Sequence, residues 1–111
     1  MKLKIVINKE YILHTIALMD FGADLNCIQK GLVPIKYFEP TTERLSSANG
    51  SPLKIKYKLS KTHVCNQGIC IKTPFLLVGN LNREVILGTP FLNLLQLIIV
   101  SNKGILTIIN Y

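Results

Sequence analysis

Asp20 and Asp24 are the only aspartates in the 111-residue chain, and both lie in one short stretch, IALMDFGADLNCI, residues 16–28. Asp20 ends an apolar, strand-like run. Phe21, Gly22 and Ala23 follow, then Asp24, and apolar sequence resumes. Gly22 permits an unusual backbone angle and close approach, and small residues leave room for another chain or a substrate. A single carboxylate in such a place is paired or solvated. Two carboxylates meeting across a two-fold axis share one proton, which splits their pKa values and gives one acid and one base about 3 Å apart. Such a pair activates water against a peptide carbonyl. Asp24 is a poor second member, because so tight a loop points it elsewhere. The plain alternative is an ordinary strand–turn–strand with a capping Asp.

The other residues with reactive side chains are Cys27, Cys65 and Cys70, with His63 close by in HVCNQGIC. The spacing matches no standard zinc module, so no metal is expected. A tight turn at Gln67-Gly68 makes Cys65 and Cys70 a cross-strand pair in a hairpin. An odd cysteine count without a secretion signal favours free, reduced thiols. His14 falls in an alternating pattern and reads as a half-exposed strand residue.

The elements that must position the aspartate loop have a period of two. Leu3 to Asn8 and Tyr11 to Met19 read as strands joined near Lys9-Glu10. Asn26 to Ile28 reads as a short strand, and Leu53 to Leu59 as a longer one with Lys54, Lys56 and Lys58 on its solvated face. Between these two, SANGSP has the strongest hairpin-tip signal, with Asn49-Gly50 able to take positive φ. Ile69 to Val78 reads as one strand and EVILG as another, stopping at Gly88. TPFLNLL, with Pro at a plausible first helical position, reads as one short helix. LIIV and ILTIIN read as a closing hairpin. No linker or repeat interrupts this pattern, so residues 1–111 are expected to form a single all-β domain with one short helix.

The pattern Asp-x-Gly-Ala-Asp after an apolar strand resembles the active-site loop of retropepsin-type aspartic proteases. VILGTPFL, residues 85–92, resembles that family's apolar-apolar-Gly stretch, which passes behind the loop and leads into the single helix. Both landmarks, in order and with a flap-like tip between them, cover nearly the whole chain. The run from DFGADLNCIQKGLVP to ILGTPFL looks most like the protease segment of plant pararetroviruses and related retroelement polyproteins. The resemblance implies a retropepsin-like acid protease half-barrel with a short C-terminal helix. It implies that Asp20 is catalytic and that Phe21, Gly22, Ala23 and Asp24 form the loop that lines the substrate cleft. Asp24 takes the position that contacts substrate backbone or a loop arginine. Ala48, Asn49, Gly50 and Ser51 fall at the flap tip, and Ile86, Leu87 and Gly88 on the supporting strand. One Asp loop per chain implies a homodimer acting on a peptide or polyprotein, with no cofactor, and LKIVI and ILTIIN could supply its interface sheet.

Phe21 departs from the pattern. The family carries Thr or Ser there, whose hydroxyl hydrogen-bonds across the dimer. A phenyl ring cannot make that bond, so Phe21 is expected to impair activity while the fold survives. The competing reading is a catalytically dead retropepsin-fold module for dimerisation or peptide binding.

The net charge of +7 raises nucleic-acid binding as a third reading. The lysines alternate with apolar residues as on solvated strand faces, only two arginines are present, and no aromatic-rich basic motif appears. No dedicated nucleic-acid site is expected. No apolar run reaches the roughly 20 residues of a membrane span, and the N-terminal stretch lacks the apolar block of a signal peptide. The expected location is the cytoplasm, or a place within a viral or retroelement polyprotein.

Overall fold

A computed structural model describes residues 2–46, 52–79 and 81–101. The N-terminal hairpin pairs β1 (Lys2–Ile7) with β2 (Tyr11–Met19). Its turn uses positive φ at Asn8 and Lys9 and is closed by the Glu10 N–H to the Ile7 carbonyl, 3.1 Å. Alternation decides the faces: Leu3, Ile5 and Ile7 point into the core while Lys2 and Lys4 point out. The strands that follow are β3 (Cys27–Gln29), β4 (Glu39–Pro40), β5 (Arg44–Ser46), β6 (Pro52–Lys54), β7 (Tyr57–Leu59), β8 (Thr62–Asn66), β9 (Ile69–Lys72), β10 (Phe75–Val78) and β11 (Val85–Leu87). Nine of the eleven described strands form one curled, half-barrel sheet in the order β4-β7-β10-β3-β11-β2-β1-β8-β9, and β5 pairs with β6 in a separate two-stranded sheet. Ile5, Ile7, Ile28, Leu59, Phe75, Val85, Leu87 and Leu92 are essentially sealed from solvent and make the core.

Strand β2 comes out as the alternation predicts, but several other expectations are corrected. The run 53–59 is not one regular strand. Pro40 pairs with Tyr57 and Arg44 with Lys54, so residues 41–43 face only residues 55–56. That extra residue is a bulge, which breaks the ladder and bends the hairpin. The run 69–78 splits at Thr73-Pro74, because Pro74 has no N–H to offer a ladder, and β9 and β10 then take different partners. LIIV is not a strand. It continues the helix, α1, which spans Thr89–Ser101. After Pro90 the next helix breaker is Gly104, and extending a nucleated helix costs less than ending it without a stop signal. Phe91, Leu92 and Leu95 bury its inner side.

LKIVI does not offer a free interface strand either. It is β1, with both edges occupied by β2 and β8. ILTIIN and the tip residues Ala48, Asn49, Gly50 and Ser51 lie outside the described residues.

The hairpin expected at Gln67-Gly68 is present. Both residues have positive φ, and Cys65 pairs with Cys70 across β8 and β9. Their expected reduced state is corrected: the two sulfurs form a disulfide. Adjacent strands already hold the two Cα atoms 4.0 Å apart, so the fold itself brings the thiols together. Cys27 is the free cysteine, buried, its thiol pushed up to about 11 by that burial.

Candidate active site

The aspartate loop hangs between β2 and β3, with β11 inserted between them. β11 runs parallel to β2, pairing Val85 with Ala17 and Leu87 with Met19, and antiparallel to β3, pairing Val85 with Ile28. Asp20 extends this pairing by one step: its N–H donates to the Leu87 carbonyl, 2.9 Å. The chain then turns, and the Ala23 N–H donates back to the Asp20 carbonyl, 3.1 Å. The far side of the loop is tied to the start of α1, where the Thr89 N–H donates to the Ala23 carbonyl, 2.9 Å.

Gly88 is required by contact. A Cβ there would lie 2.5 Å from the Ala23 carbonyl oxygen and 2.7 Å from that of Leu25, closer than any side chain tolerates. Gly22 also acts through close approach, since a Cβ on it would meet Asp20 Oδ1 at 3.1 Å. The unusual backbone angle expected of Gly22 is not used, because positive φ occurs at Asn8, Lys9, Gln67 and Gly68 instead. The Gly22 N–H donates to Asp20 Oδ1 at 2.8 Å. One carboxylate oxygen is thereby oriented by the loop's own backbone.

Asn26 was not singled out by the sequence. It is 2% exposed and holds three elements together. Its Oδ1 accepts the Gly88 N–H at 2.8 Å, and its Nδ2 donates to Thr73 Oγ1 at 2.7 Å and to the Pro74 carbonyl at 2.9 Å. The Thr62 hydroxyl donates in turn to the Thr73 carbonyl. An amide carries both a donor and an acceptor, so one buried side chain satisfies groups on both sides of it. The available signal was a polar residue between the apolar Leu25 and Cys27.

Of the residues singled out from sequence, Asp20, Gly22, Ala23, Leu87 and Gly88 are brought together. Ile86 pairs with Leu18, two residues before Asp20. Asp24 is exposed, without an ion-pair partner among the described residues. Phe21 is 62% exposed, so its ring is not tucked into the core of the single chain. Leu18 and Ile16 stand exposed along the same strand that leads to Asp20. No group of three or more His, Cys, Asp or Glu among the described residues could hold a metal.

A family model described as retroviral aspartyl protease matches residues 1–100. Among solved structures, the chain is similar to the crystal structure of the retroviral protease-like domain of Ddi1 from Leishmania major. Identity is 18% and the TM-score 0.61, over 86% of this chain and 76% of that one. At that identity the likeness speaks for the fold, a retropepsin-like half-barrel. No curated protein matches the chain.

Proposed function

The chain belongs to the retroviral aspartyl protease family, and on that premise we propose that it is an aspartic endopeptidase whose catalytic pair is Asp20 from two copies of the chain. The observation that carries this reading is the placement of Asp20. It ends β2 in a loop fixed from behind by Leu87, Gly88 and Thr89, with one carboxylate oxygen held by the Gly22 N–H. One chain supplies one such carboxylate, so the working unit is a homodimer.

In that unit the two carboxylates share a proton. The ionised one takes a proton from water as the water attacks the peptide carbonyl, and the protonated one donates to the carbonyl oxygen. The bond to nitrogen then breaks as the amine leaves protonated. The Gly22 N–H holds one oxygen of each carboxylate, which limits how the group can turn during this exchange. In this reading the bulged hairpin built from residues 39–46 and 52–59 serves as the flap over a bound peptide, as its position in the chain between the two family landmarks suggests. The substrate is a polyprotein of viral or retroelement type, and the pararetrovirus-like run of the sequence supports that class.

Phe21 favours a second reading, a non-catalytic dimerisation or peptide-binding module. Where two loops meet, a ring on each occupies the space a short hydroxyl side chain would fill. The two readings separate in a pepstatin-sensitive cleavage assay at mildly acidic pH, run on the protein and on Phe21→Ser. Pepstatin-blocked cleavage by either form supports the endopeptidase. Peptide binding by both without cleavage by either supports the module.

A further inference from the structure

We propose that the Cys65–Cys70 hairpin is a thiol–disulfide exchange site that takes small thiols carrying carboxylates. The site lies on the outer face of the sheet and involves neither Asp20 nor its loop.

The strand registers build it. Lys4 pairs with His14 on one side and with Cys65 on the other, and Cys65 pairs with Cys70. Directly opposed residues on neighbouring strands project to the same face. Their sequence neighbours Leu3, Ile5, Val64 and Ile71 are buried in the core, so His14, Lys4, Cys65 and Cys70 form one row across the outer face. Lys2 lies on the same face, two residues along β1. These groups line an open recess of about 680 Å³, with Glu84 as the acid on its rim. The Glu84 carboxylate accepts the Thr15 hydroxyl at 2.7 Å. Two lysines beside a disulfide make the recess attractive to a thiol bearing carboxylates.

The two sulfurs differ in access. Cys65 is 5% exposed, whereas Cys70 is an exposed residue on β9, the last strand of the sheet. An incoming thiolate therefore attacks Cys70 Sγ. Its sulfur bonds to Cys70 as the Cys65–Cys70 bond breaks, and the electron pair leaves on Cys65 Sγ. The leaving thiolate forms beside Lys4, and a cation there makes it a better leaving group. A second small thiolate attacks the small-molecule sulfur of the mixed disulfide. Cys70 is released as a thiolate, and the two small thiols depart as their own disulfide. Two protons from solvent complete the protein dithiol. The protein disulfide is reduced and two small thiols are oxidised, so the electrons balance. Cys27, buried and with its thiol raised, takes no part.

The test uses the oxidised protein and two probe thiols, glutathione, which carries net negative charge, and cysteamine, which carries a positive one. Reduction is followed by alkylation and mass. In Lys2→Glu/Lys4→Glu, reduction by glutathione is expected to slow by about fivefold while reduction by cysteamine quickens. In Cys65→Ser, oxidised glutathione is expected to add one glutathione at Cys70 and none at Cys27. Equal changes for both probes, no change for either, or glutathione found on Cys27 rather than Cys70 would overturn the proposal. So would an oxidised preparation in which Cys65 and Cys70 remain separate thiols.

Discussion

The loop that carries Asp20 is built differently behind and in front. Behind it, three hydrogen bonds tie the loop down: Gly88 meets Asn26, Thr89 meets Ala23, and Leu87 meets Asp20, all at 2.8–2.9 Å. No atom can be added at Gly88 without striking a carbonyl. In front, Phe21 and Ile16 are more than 60% exposed, and Leu18 beside them is exposed too. Solvent-exposed apolar side chains of this size beside a fixed carboxylate mark a surface completed by something else. The rear is specified by folding alone. The front, left exposed in the single chain, is where the proposed second copy and substrate would sit.

The largest effect on stability is expected at the rear. Gly88→Ala forces a Cβ against two backbone oxygens and should cost about 3 kcal/mol, read as a lower urea midpoint together with loss of any cleavage. Asn26→Ala should cost somewhat less, about 2 kcal/mol, since it strands the Gly88 N–H and the Thr73 hydroxyl inside the protein. Amide exchange at Gly88 should speed up in that variant, whereas exchange at Ile5 should follow only the global loss.

At the front the expectation reverses. Phe21→Ser should leave the stability of the single chain within about 0.5 kcal/mol, because the ring makes little of the fold. Dimer affinity and cleavage should both rise. A misplacement of about 1 Å at the paired carboxylates is worth on the order of a hundredfold in rate. Sedimentation and peptide cleavage measured side by side check this. Equal cleavage by both forms would mean that the ring has a place within the dimer.

The smallest effect lies in the bulged hairpin of residues 39–46 and 52–59. Burial pushes the Glu39 carboxyl up, but hydrogen bonds from the Ser60 hydroxyl and N–H, with Lys58 and Lys61 nearby, outweigh it and hold the group below its usual range. A depressed folded pKa stabilises above the unfolded value, and the contribution is lost as pH falls through the folded one. Acidification below about pH 4.3, the ordinary glutamate value, should therefore loosen this hairpin slightly. Glu39→Gln should flatten that part of the stability–pH curve.

The same division governs what the sequence made legible. Strand β2 could be read to its exact ends because the turn at Lys9-Glu10 and the polar Asp20 bound its apolar run, and Gln67-Gly68 because the turn needs positive φ. Gly88 was legible as part of a motif, and the structure supplies its reason. Asn26 was not legible, because its role depends on partners 47 and 62 residues away. The bulge opposite residues 55–56 left no pattern in the lysine alternation. LIIV looked like a strand because β-branched residues favour strands, yet the preceding helix carried through it. The disulfide was not legible from the odd cysteine count; it follows from the hairpin register that sets Cys65 opposite Cys70.

Asp20 from two copies is proposed to do the chemistry. The most direct measurement is peptide cleavage at mildly acidic pH by Phe21→Ser and by Phe21→Ser/Asp20→Asn, across a range of protein concentrations. Asparagine keeps the shape but cannot share the proton. The account predicts that the first protein cleaves, with a rate per chain that rises with concentration as dimers form. It predicts that the second, equally folded, does not cleave at all. Cleavage that survives Asp20→Asn, or no cleavage by the Phe21→Ser protein at any concentration, would contradict it.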